Sequence, residues 1–211
     1  MFTGIISTIG TIARIERTAK KNRVTCAVAE KKWRAMLSVG TSVSMDGTCV
    51  TIVALQPKGF LVDIARETER VTNIGSWKKG HRVNLELPVR ANEMLSGHLL
   101  LGHVDGVGHV VEIYDQGNGK RLVVAPPPDL FRFLPYKGSI AVNGVSLTIA
   151  NVDADKHQCI IALIPHTIHH TTLGVLKPKD LVNIEVDAIA RYLDQLLEER
   201  FKIFEERLLQ R

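Results

Sequence analysis

Residues 46–52 read D-G-T-C-V-T-I, and residues 143–149 read N-G-V-S-L-T-I, in a chain of 211 residues. In each phrase an Asx-Gly pair, which favours a tight hairpin turn, leads into an alternating strand. A hairpin explains the turn and the alternation. It does not explain why the same register position carries Cys49 in one phrase and Ser146 in the other, since both side chains can act as nucleophiles.

The two phrases belong to a longer internal repeat. Residues 2–12 (F-T-G-I-I-S-T-I-G-T-I) match residues 100–110 (L-L-G-H-V-D-G-V-G-H-V), which sets Gly4 on Gly102. E-T-E-R-V-T-N-I-G from Glu67 matches H-T-I-H-H-T-T-L-G from His166, and V-N-L-E-L from Val83 matches V-N-I-E-V from Val182. Four blocks in one order, at a nearly constant offset, indicate an internal duplication.

Each copy is a series of short alternating strands separated by turn residues. Many short strands in about 90 residues favour a small closed barrel, because closure removes the exposed edges of an open sheet. One short helix per copy is expected, near residues 29–37 and 128–133. The sequence therefore predicts an all-β fold of two tandem barrels, spanning residues 1–97 and 98–187.

Residues 188–211 have a different period. Apolar side chains recur there at spacings of three and four, with charged residues between them: Leu193, Leu197, Phe201, Phe204 and Leu208. This pattern predicts an amphipathic C-terminal helix from about residue 190. The apolar stripe either packs on its own barrel or meets copies from other subunits, and we favour self-association.

Composition excludes several classes of protein. A hydrophobic content of 45% with 23% charged residues is typical of a globular chain, and no apolar run is long enough to span a bilayer. The net charge of +5 suggests nucleic-acid binding as one possible function. This function is disfavoured, because basic residues are scattered outside residues 20–23 and 31–34 and aromatic residues make up only 5% of the chain. Three cysteines without a C-x-x-C motif, and no secretory signal in the first residues, favour a cytoplasmic protein with reduced thiols.

Several of these motifs together resemble riboflavin synthase. They are M-F-T-G-I-I at residues 1–6, the paired phrases around Cys49 and Ser146, G-H-L-L-L-G-H-V at residues 97–104, and T-T-L-G at residues 171–174. The resemblance runs in order to about residue 187, and the C-terminal helix also has a family counterpart. It implies two six-stranded Greek-key barrels and a homotrimer held by C-terminal helices. An association with lumazine synthase stays open.

The resemblance also implies a reaction. One molecule of 6,7-dimethyl-8-ribityllumazine gives a four-carbon unit to another, which yields riboflavin and a ribityl-substituted diaminopyrimidinedione, with no metal or cofactor. Each repeat binds one lumazine, and the working site lies between the N-terminal barrel of one subunit and the C-terminal barrel of its neighbour. Two copies of a binding unit then serve a reaction between two copies of one molecule, because orienting the pair replaces a rare collision.

The resemblance gives roles to particular side chains. Cys49 and Ser146 are expected in the barrel mouths, where they act on C7 of a lumazine as nucleophiles or proton donors. The alternative for Cys49 is a small buried hydrophobe. His103 replaces Ile5 of the first repeat and is expected to deprotonate the 7-methyl group, with His98 a weaker candidate. The catalytic set comprises Cys49, Ser146, His103, Ser42 and Asp187.

A larger set is expected to bind substrate. Phe2 stacks on or covers the ring, Lys137 and Asp187 contact the ribityl chain or steady developing charge, and Asn143 stands where the family usually has Asp. Paired hydroxyls at Thr51 and Thr148 suit a polyhydroxylated ligand, although Thr is also common in strands. The binding set is Phe2, Gly4, Ile5, Ile6, Val50, Thr51, Asp63, Ile64, Ala65, Arg66, Glu67, Thr68, Gly102, Val104, Lys137, Asn143, Leu147, Thr148, Ile164, Pro165, His166, Thr167, Ile168 and His169.

Three other interpretations of the sequence are less favoured. A metal site at His166, His169 and His170 is disfavoured, because no Cys or carboxylate lies close by in sequence and the segment is expected at a strand end entering a turn. A flavin-binding module of an electron-transfer enzyme is disfavoured, because no Gly-rich phosphate loop follows residue 149. A non-catalytic lumazine or flavin carrier of the same fold is the main alternative, and the polar residues kept in both repeats favour the enzyme.

Overall fold

The computed structural model describes residues 1–18 and 22–209; for residues 199 and 202–209 it describes the backbone alone. The first six strands form a closed barrel with the order β1-β2-β5-β4-β3-β6. Their bounds are β1 Thr8–Arg17, β2 Asn22–Val28, β3 Ser42–Met45, β4 Thr48–Gln56, β5 Gly59–Asp63 and β6 Arg82–Glu86. Neighbouring strands are antiparallel, and β6 closes the barrel by pairing with both β1 and β3.

The second barrel repeats this arrangement. Its strands are β7 Gly106–Gln116, β8 Gly119–Ala125, β9 Ser139–Val142, β10 Val145–Asp153, β11 Gln158–Leu163 and β12 Leu181–Val186. The order β10-β11-β8-β7-β12-β9 is the same ring as in the first barrel, with each strand replaced by its counterpart. The prediction of an all-β fold with two six-stranded barrels is confirmed.

Each barrel encloses its own hydrophobic core. Alternate residues of β4, such as Val50 and Ile52, point inwards and are buried with Phe60, Trp33 and Trp77. The core of the second barrel is built from the corresponding strands and contains mainly Val, Ile and Leu. The two cores are separate clusters, so each barrel is filled almost entirely by side chains of its own repeat.

Short helices occupy matching places in the two repeats. Helix α1 (Lys31–Arg34) corresponds to a 3₁₀ turn at Pro128–Phe133, so the first predicted helix is shorter than expected and the second is tighter. Helix α2 (Arg66–Val71) corresponds to α3 (Pro165–His170). The expectation that the histidine cluster lies at a strand end entering a turn is wrong, because these residues form α3. The basic residues 20 and 21 lie outside the described part of the chain.

The last element is helix α4 (Ala188–Leu209), which confirms the predicted C-terminal helix. Asp187 caps its first turn, since its Oδ1 accepts a hydrogen bond from the Ile189 amide at 2.9 Å. Arg132 holds the helix to the second barrel through Asp194 and Glu198, at 2.7 and 2.9 Å. Apolar side chains stay exposed on the helix at Ile189, Tyr192, Leu193, Leu196, Leu197 and Phe201. The side chains of Phe204 and Leu208 lie outside the described residues. Among the described residues, none of the helices has both the length and the apolar character needed to cross a membrane.

The two Asx-Gly turns meet between the barrels. Asp46 and Asn143 both have a positive φ, near 46° and 47°, and each is followed by a glycine that also has a positive φ. A Cβ added to Gly47 would lie 2.8 Å from the amide nitrogen of Gly144. Glycine is therefore required here for two reasons, the left-handed backbone and the close approach of the second turn.

Candidate active site

The segment that precedes each barrel crosses onto the other barrel. Phe2 and Leu100 pair as an antiparallel bridge. Beyond this bridge, the carbonyl of Gly4 accepts a hydrogen bond from the Ser146 amide at 2.9 Å, and the carbonyl of Gly102 accepts one from the Cys49 amide at 2.8 Å. The duplication thus produces two equivalent surface sites, each formed by one barrel and the crossing segment of the other repeat.

Both crossings depend on glycine. Gly4 and Gly102 have φ values of 75° and 76°, which residues other than glycine rarely adopt. A Cβ on Gly4 would come within 2.6 Å of the Ser146 Cβ, and a Cβ on Gly102 within 2.6 Å of the Cys49 Cβ. The matched glycines found in the sequence are therefore the places where the backbone of one repeat covers the candidate nucleophile of the other.

Cys49 and Ser146 lie on the outer faces of their strands. On β4 the alternating residues Val50 and Ile52 fill the barrel, so Cys49 and Thr51 face outwards, and Ser146 and Thr148 do the same on β10. The expectation that Cys49 and Ser146 point into the barrel mouths is wrong for this reason. Ser42, on the neighbouring strand β3, is paired with Thr51 and half-buried.

Ser146 has a histidine partner. Its Oγ lies 2.7 Å from Nδ1 of His98, which comes from the linker between the barrels. Burial lowers the pKa of His98, and the negative charge of Asp187 partly opposes this shift. His98 is therefore neutral near pH 7 and can accept the hydroxyl proton of Ser146. The structure brings His98 into the site, although the sequence pattern ranked it below His103.

The Cys49 site has a different lining. Cys49 is a free, half-buried thiol that packs against the small cluster of Phe2, Leu100 and Ala141. Cys26 and Cys159 are both buried, which raises the pKa of each thiol to about 12. Cys49 is thus the cysteine of the chain that a ligand or reagent can reach. His103 follows Gly102 and is exposed.

Two strand ends flank the sites. Residues 63–68 run from the end of β5, which pairs with β4, into α2, and residues 164–169 run from β11, which pairs with β10, into α3. Ala65, Arg66 and Glu67 are exposed, Thr68 is half-buried, and Glu67 pairs with Arg70. Ile164, His166 and His169 are exposed, and Pro165, Thr167 and Ile168 are half-buried.

Some predicted binding residues can offer a ligand only their backbone. The side chains of Val50, Ile64 and Leu147 belong to the two cores. Asp63 is exposed, but its carboxylate is held by the Arg23 guanidinium at 2.6 and 2.9 Å. The inward orientation of the three apolar side chains leaves their main-chain groups for a ligand, and their contact with substrate stays a prediction.

Phe2 is also placed differently from the prediction. Its side chain is only 1% exposed and packs with Leu100 and Ala141, so its ring is covered by protein. A flat ligand cannot stack on a face that is already covered. Phe2 instead anchors the crossing of the two segments, while the next residues of its segment, Ile5 and Ile6, are exposed and half-buried respectively.

Asn143 lies at the junction of the barrels and away from Ser146. It is 4% exposed, and its Oδ1 accepts a hydrogen bond from the Asn183 amide at 2.8 Å. Asp46 accepts the equivalent bond from Asn84, also at 2.8 Å. An amide oxygen serves as an acceptor as well as a carboxylate does, so Asn143 can replace Asp in this position. The side chain of Asn143 is thus engaged by β12, and its contact with substrate stays a prediction.

The remaining predicted residues lie at the edge of the second barrel. Lys137 is exposed in the turn before β9, and its Nζ lies 5.3 Å from the centre of the Tyr136 ring. Asp187 is half-buried and caps α4, and Val104 is half-buried in the crossing segment.

In the described residues, no cluster of three or more His, Cys, Asp or Glu side chains is arranged to hold a metal ion. The rings of His166 and His170 stack on each other, with 4.1 Å between their centres.

Comparison with known proteins identifies the class that this geometry defines. The family model described as "Lumazine binding domain" matches twice, over residues 3–88 and 101–187, which correspond to the two barrels. The structure is also similar to LumP in complex with riboflavin, with a TM-score of 0.81 and 25% identity over 88% of this chain and 99% of that chain. LumP complexed with 6,7-dimethyl-8-(1'-D-ribityl) lumazine gives a TM-score of 0.79 at the same identity and coverage. The chain is therefore a protein with two lumazine-binding domains.

Sequence relatives narrow the class further. Riboflavin synthase of Brucella abortus (strain 2308) is 37% identical, over 93% of this chain and 98% of the relative. Riboflavin synthase of Bacillus subtilis (strain 168) is 36% identical, over 93% of this chain and 90% of the relative. The chain belongs to the riboflavin synthase family.

Proposed function

We propose that this chain is a riboflavin synthase. It converts two molecules of 6,7-dimethyl-8-ribityllumazine into one riboflavin and one 5-amino-6-ribitylaminopyrimidinedione by transfer of a four-carbon unit. The observation that carries the proposal is the pair of equivalent outward-facing sites, one around Cys49 and one around Ser146. Two sites for one kind of ligand match a reaction in which that ligand is both donor and acceptor.

The two sites supply different chemistry. At the second barrel, neutral His98 accepts the Ser146 proton, and the hydroxyl or a water molecule it activates adds to the electron-poor C7 of one lumazine. At the first barrel, Cys49 offers a thiol in place of a hydroxyl, and exposed His103 is available to remove a proton from the 7-methyl group. The lumazines therefore meet different environments, as donor and acceptor must.

Binding rests on the edges of both sites. Thr51 and Thr148 face outwards beside Cys49 and Ser146 and can bond to the ribityl hydroxyls or the ring carbonyls. Backbone groups of residues 63–68 and 164–169 line the adjacent strand ends, and Ser42, Lys137 and Asp187 contribute polar groups nearby. Ile5 and Val104, from the crossing segments, cover the apolar side of the ring system.

Self-association is part of the proposal. The exposed apolar side chains of α4, at positions 189, 192, 193, 196, 197 and 201, form a stripe suited to packing against the same helix of other copies. A homotrimer built in this way lets the first barrel of one subunit face the second barrel of another. Such an arrangement holds two bound lumazines against each other and excludes water.

The alternative is a carrier that binds lumazine or flavin without turnover. The structural similarity to LumP in its lumazine and riboflavin complexes favours this alternative, since the same fold holds those ligands. The enzyme is favoured by the Ser146–His98 pair and by the curated relatives, which cover nearly the whole chain.

One experiment separates enzyme from carrier. Purified protein is mixed with 6,7-dimethyl-8-ribityllumazine in the presence of a metal chelator, and riboflavin is followed by absorbance and fluorescence. Continuous formation of riboflavin over many turnovers is the expected result. A stoichiometric shift of lumazine fluorescence without riboflavin would identify a carrier. The absence of both the fluorescence shift and riboflavin would contradict the proposed function.

A further inference from the structure

Two buried glutamates occupy equivalent positions at the ends of β6 and β12. Glu86 is 5% exposed, and its carboxylate accepts hydrogen bonds from the Thr3 amide, the Thr3 hydroxyl and the Gly4 amide at 2.7, 2.8 and 3.0 Å. Glu185 is 3% exposed and accepts from the Leu101 and Gly102 amides at 2.8 and 3.1 Å. Each glutamate thus holds the segment that precedes its own barrel.

The held segments then bond to the opposite barrel. The carbonyl of Gly4, whose amide is held by Glu86 of the first barrel, accepts a hydrogen bond from the amide of Ser146 on the second barrel. Gly102, held by Glu185 of the second barrel, accepts the amide of Cys49 on the first. Two short chains of hydrogen bonds therefore run from a buried carboxylate to a candidate reactive residue, and each one crosses between the barrels.

An ionised carboxylate suits this task better than its isosteric amide. Both oxygens of each glutamate accept backbone N–H groups, whereas glutamine offers one acceptor oxygen and an NH₂ group that would oppose an N–H donor. Burial raises the pKa of both carboxyls, and the bonds from the segments counteract that shift. The charged neighbours are the N-terminal amino group at Glu86 and Asp105 at Glu185. Burying these carboxylates costs free energy. Their hydrogen bonds stabilise the backbone of the crossing segments.

We propose that Glu86 and Glu185 are positioning residues that act across the barrels. Glu86 fixes the backbone beside Ser146, and Glu185 fixes the backbone beside Cys49, which leads into His103. This inference rests on the proposed function for its effect on turnover, whereas the geometry can be tested without any turnover. A purely structural role predicts that each glutamate affects its own barrel, and the positioning role predicts an effect on the other.

Cys49 is a reporter for one crossing. The rate at which iodoacetamide alkylates Cys49 in the folded protein is measured by mass spectrometry in wild type, Glu185→Gln, Glu86→Gln and Glu112→Gln, the last an exposed control on β7. Loss of charge-assisted bonds to Gly102 should raise the Cys49 rate about tenfold in Glu185→Gln. The rate should stay within about twofold in the other two variants, because Gly102 remains held.

The reverse crossing is read by moving the thiol. In a Cys49→Ser/Ser146→Cys background, Glu86→Gln should accelerate alkylation of the thiol at position 146 about tenfold, and Glu185→Gln should leave it within about twofold. If either glutamine variant raises both rates equally, or raises neither, the positioning role is wrong. Selective acceleration combined with a complete lack of riboflavin formation in wild type would support the geometry and contradict the proposed function.

Folding is monitored by the same reagent. Cys26 and Cys159 are buried, so their alkylation reports global opening of the first and second barrel respectively. If a glutamine variant exposes these thiols, Glu→Asp at the same position replaces it, because aspartate keeps the charge but is one methylene too short to hold both amides. The same site-selective acceleration is expected for the aspartate variants, and its absence in a folded aspartate variant would also overturn the proposal.

Discussion

Ser146 Oγ lies 2.7 Å from Nδ1 of His98, a residue that the chain passes before it enters the second barrel. The contact joins an outward-facing strand residue to the linker, and the lowered pKa of His98 keeps the ring neutral near pH 7. A neutral imidazole that faces a hydroxyl is the usual arrangement for general-base activation.

Replacement of His98 tests that arrangement. His98→Gln should lower kcat for riboflavin formation about 100-fold, because the general base is lost while the polar contact to Ser146 is retained. In wild type, kcat/KM should fall on the acid side as His98 becomes protonated, with a midpoint below pH 6.5 because its pKa is lowered. The glutamine variant should lack this acid limb.

The outcome that contradicts the role of His98 is specific. A His98→Gln enzyme with wild-type kcat, or with an unchanged acid limb, would assign the base to another group. His109→Gln is a matched control, because this histidine is exposed on β7 and lies outside the proposed site. It should leave both kcat and the pH profile within about twofold of wild type.

Asn143 should be dispensable for chemistry. Asn143→Asp should keep kcat within about twofold, because position 143 supplies one acceptor to the Asn183 amide. Its free energy of unfolding at pH 7 should fall by about 2 kcal/mol, because the new carboxylate is buried and the second repeat has Asp180 where the first repeat places His81 beside Asp46. Urea unfolding and steady-state kinetics measure the two effects.

A second substitution checks the electrostatic explanation. In the first repeat, Oδ2 of Asp46 lies 3.8 Å from Nε2 of His81. The residue that corresponds to His81 in the second repeat is Asp180. Adding Asp180→His to Asn143→Asp should therefore restore part of the lost stability. A tenfold rise of kcat in Asn143→Asp would instead show that a carboxylate at this position takes part in the reaction.

Asp46 gives a prediction for pH dependence. Burial raises the pKa of Asp46 above its ordinary value, and His81 and the Asn84 amide oppose the shift. A carboxyl with a raised folded-state pKa contributes stability that is present below its unfolded pKa and is lost as the pH rises. Asp46→Asn, which copies the second repeat, should thus become more stable relative to wild type between about pH 4 and pH 8.

Urea unfolding across this pH range measures the difference. The two proteins should be closest in stability at the acid end, where Asp46 is protonated in the folded state and about half protonated in the unfolded state. A variant that loses stability relative to wild type as the pH rises would show that the His81 and Asn84 interactions outweigh burial. Asp155→Asn, an exposed residue between β10 and β11, is the control and should show little change with pH.

The exposed stripe on α4 predicts assembly. Leu193→Glu/Leu197→Glu should convert the proposed trimer to a monomer in sedimentation velocity, because both side chains are exposed in the single chain and would place charges at the proposed seam. Riboflavin formation should fall at least tenfold, since the donor and acceptor sites then no longer face each other. A wild-type protein that is monomeric, or a fully active monomeric variant, would contradict the assembly.

The sequence predicted the fold because its signals are local. Asx-Gly turns, alternating strands and the repeated order of blocks determine two barrels without any long-range information. The outward orientation of Cys49 was available from the same alternation, since Val50 and Ile52 are apolar and Thr51 is not. The crossing of the segments could not be predicted from the sequence, because it pairs Gly4 with Ser146 and Gly102 with Cys49, which are far apart in the chain.

His98, Phe2 and Asn143 show the same limit at the site. The motif S-G-H before the second repeat was visible, but its contact with Ser146 depends on the path of the linker. Phe2 is an aromatic residue near the site in sequence, yet its ring is used to pack the crossing. Asn143 is a turn residue, and a turn residue that bonds to backbone has its side chain already engaged.

The duplicated chain is proposed to hold the same ligand twice, once at each site. Counting the bound ligands tests this proposal, by calorimetric titration of riboflavin, the product, into purified protein of known concentration. We expect two molecules bound per chain, with the count reduced to one when Thr51→Trp blocks the first site or Thr148→Trp blocks the second. A single molecule per chain in wild type, unaffected by one of these substitutions, would contradict it.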